Sequence, residues 1–214
     1  TITSFADITT SFKDGDAISA KTTAGDISIT STGDLDVDGF YGHGIRALSD
    51  TGKITITHTG DIETYLGGGF GIRAITKGDI AITVDGDIST SGIASAILAQ
   101  SISGNVILDT DGAISTEREN SFGLQAVAKD GTVFVTHVGT ITTLGEGSEA
   151  IDAEGSKGVE ISFAGEISTA AKNATGIHAE SKAGGISIKS DGDISVAGYG
   201  SRAISAVAEN EILI

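Results

Sequence analysis

The sequence predicts an all-β fold, a parallel β-solenoid of about eight coils. Three observations predict it: a phrase that restarts every 25–27 residues along the whole chain of 214, alternating apolar pairs inside each repeat, and columns of one residue type running through the repeats. The restart is plain in "GIRALSDTGKITITHTGDIETYLGGGF", which is followed at once by "GIRAITKGDIAITVDGDIST". Related phrases begin at Ala17, Gly44, Gly71, Ala96, Gly123, Ala150, Gly176 and Ala203, at intervals of 27, 27, 25, 27, 27, 26 and 27.

Each repeat carries three short strands in a fixed order. The first holds an Ile and Ala pair such as Ile45 and Ala47, one residue apart, so both members point to the same side. The second holds a β-branched pair, as in Ile54 and Ile56, Ile80 and Ile82, Val133 and Val135, or Ile186 and Ile188. The third lies in "GDIET", "GDIST", "GAIST", "GTITT" and "GEIST", where Ile and the Thr two residues on share a face. Three strands with corners between them make one triangular coil.

The columns fix the register. Ala recurs at 20, 47, 74, 99, 126, 153, 179 and 206, an inward position where a larger side chain would meet its stack neighbours. Gly recurs at 25, 52, 78, 104, 131, 158 and 184, with Asn210 in the eighth place, and again at 33, 60, 86, 112, 139, 165 and 192. Both Gly columns are expected to be left-handed corner residues, with Asn210 as the side chain that best tolerates such a conformation. The same register argues against helices in "STERENSFGLQAVAKDG" and "SEAIDAEGSK", because Leu124, Ala126, Ile151 and Ala153 fall in the columns of Ile45 and Ala47. At a rise of ~4.8 Å per coil, the eight coils form a rod roughly 40 Å long. It is expected to be a single domain over 1–214, an internal stretch of a longer array.

Composition suits thin stacked layers rather than a bulky core. The chain has 31 Gly, no Pro, Cys, Met or Trp, and only 5% aromatic residues. Without Cys there is no disulfide and no thiolate metal site. No apolar run approaches the ~20 residues of a membrane-spanning helix, so the segment is not expected to be inserted in a membrane. The net charge of −16 repels phosphate backbones and argues against nucleic acid as a partner.

The alternation of "GIRALSDTGKITITHTGDIET" with "GIHAESKAGGISIKSDGDISV" resembles the repeats of bacterial autotransporter passenger domains, adhesin-like right-handed parallel β-helices. The resemblance covers essentially the whole chain and implies a right-handed coil, which the general hand of parallel crossovers supports. It further implies secretion through the outer membrane, display on the bacterial cell surface, and a role in adhesion or cell aggregation.

His58 and His137 share an inward column with Ser31, Val84, Thr110, Phe163 and Ser190, three coils apart, and read as interior histidines rather than ligands of one metal. His43 and His178 read as outward or turn residues without a second ligand. Asp7, Asp34, Asp61 and Asp87 form an outward column, expected to be corner carboxylates accepting the N–H that follows Gly. If a cation sits between such carboxylates, calcium at Asp85 and Asp87 is the first candidate. Arg46 and Arg73 stack outward, in a column continued by Leu98, Gln125, Asp152 and His178. A glycan-active enzyme would need ionisable groups gathered on one face and walled by long loops, and no turn exceeds about six residues, so no catalytic residue is assigned. The Thr array at 30, 57, 83 and 136 is too irregular for ice binding.

Two surface features remain. Phe40, Tyr41, Tyr65, Phe70, Phe122 and Tyr199 lie on Gly-rich turns before the "GIRA" strands, suited to stacking on sugar rings or anchoring a protein contact. Leu48, Ile75, Leu98, Ile107, Val127 and Phe134 fall at outward positions of the middle coils, where an apolar stripe would favour side-by-side association. The expected function is a non-enzymatic, adhesin-like scaffold whose partner is a host-cell, glycan or neighbouring-cell receptor. A self-assembling filament or surface-layer subunit is the main alternative.

Overall fold

A computed structural model describes all residues, 1–214, as strands and turns with no helix, and so with none that could cross a membrane. The strands pair in parallel with those one coil away, building a β-solenoid of eight coils. The first wall is an eight-stranded sheet that includes Ile18–Thr22, Ile45–Ser49, Ile72–Thr76 and Ile97–Ser101. The second wall is built from strands such as Ile54–Thr59 and Ile80–Asp85, and the third from short strands such as Ile62–Thr64 and Ile88–Thr90. In the later coils the second and third walls fuse into single long strands, Thr132–Thr143, Gly158–Thr169 and Ile186–Val196, which pass through the corner without a break. Three strands per coil therefore describe the chain only as far as Thr116.

Neither segment with helical character forms a helix; as the register argues, they are strands Leu124–Ala128 and Ile151–Gly155. Local helical propensity is worth a few tenths of a kcal/mol per residue, far less than burying Leu124 or Ile151 in the stack. The core is one continuous column of 38 buried residues, nearly all Ile, Val, Leu and Ala, with Phe163 the largest. Ala47, Ala74, Ala99, Ala126, Ala153 and Ala179 are fully enclosed, as the small-residue column required.

The two Gly columns have different causes. Every Gly of the second column, from Gly33 to Gly192, has φ between 108° and 147°, a region open almost only to Gly. In the first column only Gly25 and Gly158 have positive φ, so the expectation of a left-handed corner fails at Gly52, Gly78, Gly104, Gly131 and Gly184, and at Asn210. Those glycines are required by close stacking instead: a Cβ on Gly52 would run into the Gly25 carbonyl one coil away, and one on Gly78 would stand 2.8 Å from the Gly52 oxygen. Strand pairing also shifts Gly158 out of that column, because Thr132 pairs with Gly158 and Lys157 takes the place beside Gly184. Asn210 serves the corner through its side chain, whose Nδ2 donates to the Ala183 carbonyl.

Candidate functional site

The turns between the third wall and the next first-wall strand span 11–17, 38–44, 65–71, 91–96, 117–123, 144–150, 170–176 and 197–203, six or seven residues each. Inward Thr residues of the third wall fasten them. The hydroxyl of Thr64 donates to the Gly69 carbonyl at 3.0 Å, and Thr116 and Thr143 do the same to Ser121 and Ser148 at 2.8 and 3.0 Å. Val37 and Val196 occupy this position where the column breaks, so the turns carrying Tyr41 and Tyr199 lack that tie.

A further left-handed column, not foreseen from the sequence, runs through the same turns: Asp14, Tyr41, Gly67, Asn120, Gly147, Asn173 and Gly200 all have φ between 52° and 79°. Six of these seven are the Gly, Asn and Asp that such a site accepts. Tyr41, at φ 65°, is the exception. The signal was available as spaced Asn and Gly residues, but the aromatic at 41 interrupts it.

The structure gathers four of the six turn aromatics at one corner of the first coils, around two hollows. One, of about 600 Å³, is lined by Phe40, Tyr65, Leu66, Ile93, Arg118 and Glu119 among others. Phe40, Tyr65, Leu66 and Ile93 are 52%, 41%, 45% and 59% exposed, so an apolar surface faces solvent there. The other, of about 460 Å³, is lined by Asp14, Asp16, Tyr41, His43, Arg46, Gly68, Phe70 and Arg73. Phe122 is half-buried on a later turn, and Tyr199, 87% exposed, stands alone toward the last coil.

His43, expected to be an outward or turn residue, lies in the turn 38–44 but is buried at 8% exposure. Its Nδ1 accepts the Phe70 backbone N–H at 3.0 Å, and its own backbone N–H donates to Asp16 Oδ1 at 3.1 Å. Burial pushes its pKa down, against the pull of Asp16 and with the push of both arginines. Arg46 pairs loosely with Asp16 at 3.6 Å. Arg73 makes no ion pair and instead lies 5.8 Å from the Phe70 ring, with Arg46 beside it on one coil and Leu98 on the other.

A second gathering of ionisable groups was also missed. Asp152 and His178 are register partners, and Glu149 reaches in from the preceding turn, so that the three ligand-capable atoms lie within 4.8 Å of one another. The column had been legible in the sequence, but not the reach of Glu149. Hydrogen bonds to Asp152 and then Glu149 push the His178 pKa up to about 10. Gln125 donates to the other Asp152 oxygen at 3.1 Å.

The interior histidines sit where the columns put them, His58 at 0% and His137 at 1% exposure. Ser31 and Thr110 hold their Nδ1 atoms at 2.8 Å, and Phe163 stacks on His137 at 5.8 Å. The Asp column is a hydrogen-bond ladder between coils: Asp7, Asp34, Asp61 and Asp87 each turn Oδ1 to the N–H of the residue one coil on, at 3.0, 3.0, 2.9 and 2.7 Å. The donated N–H does follow a Gly, as expected, but the bond joins coils rather than closing one corner. Asp85 ends the strand Ile80–Asp85 beside this ladder.

The expected apolar stripe divides between two walls. Leu48, Ile75 and Val127 lie in one column of the first wall, interrupted by Gln100, and Leu98 lies in the Arg46 column. Ile107 and Phe134 are neighbours on the second wall, 45% and 37% exposed. Comparison with protein-family models, with curated proteins and with solved structures returns no match.

Proposed function

We propose that this chain is a non-enzymatic, extracellular scaffold of the adhesin type, a rigid β-solenoid that displays a recognition corner on a bacterial surface. The observation that carries this reading is the gathering of Phe40, Tyr41, Tyr65 and Phe70 from adjacent coils around two hollows, with Tyr41 kept in a conformation that its column otherwise gives to Gly, Asn or Asp. Strained residues of this kind are retained where they do work for recognition. Flat exposed rings on a stiff frame suit sugar rings or a receptor surface, because little order is lost on contact. The likeness of the repeats to autotransporter passengers supports the same reading. The test is a glycan array and a cell-adhesion assay with the Phe40→Ala, Tyr65→Ala double variant. Lost binding with an unchanged melting temperature supports the recognition corner, and unchanged binding rejects it.

Self-association is a second reading, favoured by the exposed neighbours Ile107 and Phe134. Concentration-dependent sedimentation that Phe134→Ser abolishes would support it. A monomer at every concentration would reject it.

A further inference from the structure

We propose that the hollow between Tyr41 and Arg73 is a subsite for an acidic sugar, a pyranose ring carrying a carboxylate. This rests on the reading of the turns as a recognition surface and names the chemistry one part of it takes.

The chain is strongly acidic, yet three of its 13 basic residues converge here: Arg46 and Arg73 line the hollow, and Lys13 lies 6.0 Å from the Tyr41 ring. Arg73 is the informative one. Its neighbour along the wall is another guanidinium, it has no carboxylate partner, and its Nε is shut away without an acceptor, as is that of Arg46. Burial, then the charge of Arg46, pushes its pKa down, so the cation is held at a cost that an arriving anion would relieve. The charge of Asp16 opposes that shift without forming an ion pair with Arg73, its oxygens already serving the His43 backbone N–H and Arg46.

The rest of the hollow fits a sugar better than a bare ion. The Tyr41 ring, 54% exposed, offers an aromatic face for the C–H side of a pyranose ring beside Phe70, and Asp14 offers acceptors for hydroxyl groups. Room for a ring exists, at about 460 Å³. Gly68 helps to leave it: a Cβ there would press on the Tyr41 ring at 3.3 Å. The cost of holding Tyr41 at φ 65° is explained if the ring itself makes the contact.

The experiment titrates the isotopically labelled chain, followed by NMR, with methyl glucuronide, its methyl ester, methyl glucoside and acetate. The acid should bind about tenfold more tightly than the ester or the neutral glucoside, and acetate should not saturate the site. Arg73→Gln should erase the preference for the acid while leaving ester binding unchanged. Tyr41→Asn should weaken acid and ester together and yet raise the melting temperature by about 2–4 °C, an outcome that a purely structural tyrosine would not give. Equal affinity for acid and ester overturns the carboxylate assignment and leaves a neutral-sugar corner. Saturation by acetate as readily as by the acid reduces the site to an anion hole and overturns the sugar assignment. No binding of any probe overturns the subsite altogether, while the adhesion reading is judged separately by the Phe40 and Tyr65 variants.

Discussion

His178 Nδ1 stands 3.2 Å from Asp152 Oδ1 on the preceding coil, a charged clamp across two layers of the stack, with Glu149 Oε2 at 3.4 Å on the same nitrogen. The pairing holds the imidazole protonated up to about pH 10, whereas in an unfolded chain it would release its proton near 6.5. The stabilisation is therefore complete below about pH 6.5, shrinks as pH rises from there, and is gone above about 10. His178→Gln should cost about 2 kcal/mol at pH 6, as for a partly exposed charge-assisted hydrogen bond, and little at pH 10. Melting curves of both proteins from pH 6 to 10.5 check this, and a gap that stays constant with pH would refute it.

His137 shows the opposite sign. It is enclosed beside Phe163, and burial lowers its pKa to about 4 from an ordinary 6.5. The unfolded chain takes up a proton as pH falls below 6.5 while the folded one does not, so stability is lost progressively from 6.5 down to about 4. The full loss is on the order of 3 kcal/mol. Its column also carries Val84 and Phe163, so His137→Leu should be accommodated and should flatten that part of the acid transition. Denaturant midpoints at pH 7, 5 and 4 measure it; equal slopes with pH in both proteins would exclude the histidine as the cause.

Gly52 separates stacking from backbone conformation as the reason for a recurring corner Gly. Its φ is not positive, so Ala is conformationally acceptable, but the added Cβ meets the backbone carbonyl of Gly25 in the adjoining coil. Backbone cannot rotate aside as a side chain can, and the coils must part locally. Gly52→Ala should destabilise by about 3 kcal/mol. Gly25→Ala meets nothing closer than 3.9 Å and carries only the strain of φ 137°, so it should cost about 1 kcal/mol. Equal losses in the two variants would mean that conformation, not stacking, governs the column.

These glycines show where the sequence is readable and where it is not. A repeat of 25–27 residues reveals register, and register alone places Ile45, Ala47, His58 and His137 in the interior. The same logic aligned Arg46, Arg73, Gln125, Asp152 and His178 in one column, as the strand pairing has it. It failed wherever the turn carries the geometry. Glu149 reaches His178 from outside any strand, His43 folds inward under Phe70, and the left-handed Tyr41 looks like one more aromatic in a Gly-rich loop. A column also cannot tell whether its Gly is required by φ or by the neighbouring carbonyl, because both leave the same letter.

The Asp ladder yields a test that also bears on calcium. Asp87 Oδ1 accepts the Ala113 N–H at 2.7 Å, while its own N–H is bonded to Asp61 Oδ1 at 2.9 Å. What the ladder needs from residue 87 is a side-chain oxygen at that reach; the charge adds only repulsion from Asp61 one coil away. Asp87→Asn keeps the oxygen and removes the repulsion, so it should be neutral or stabilising by a few tenths of a kcal/mol. Asp87→Ala removes the acceptor, leaves the Ala113 N–H to water, and should cost about 1 kcal/mol. A calcium ion shared by Asp85 and Asp87 makes contrary demands, since a hard cation needs the carboxylate charge. Asp87→Asn would then be costly, and the melting temperature of the unaltered chain would rise in millimolar calcium chloride and fall again with EDTA. Thermal melts of the three proteins, each with calcium and with EDTA, distinguish the two, and a neutral Asn variant with calcium-independent melting assigns the column to backbone hydrogen bonding between coils.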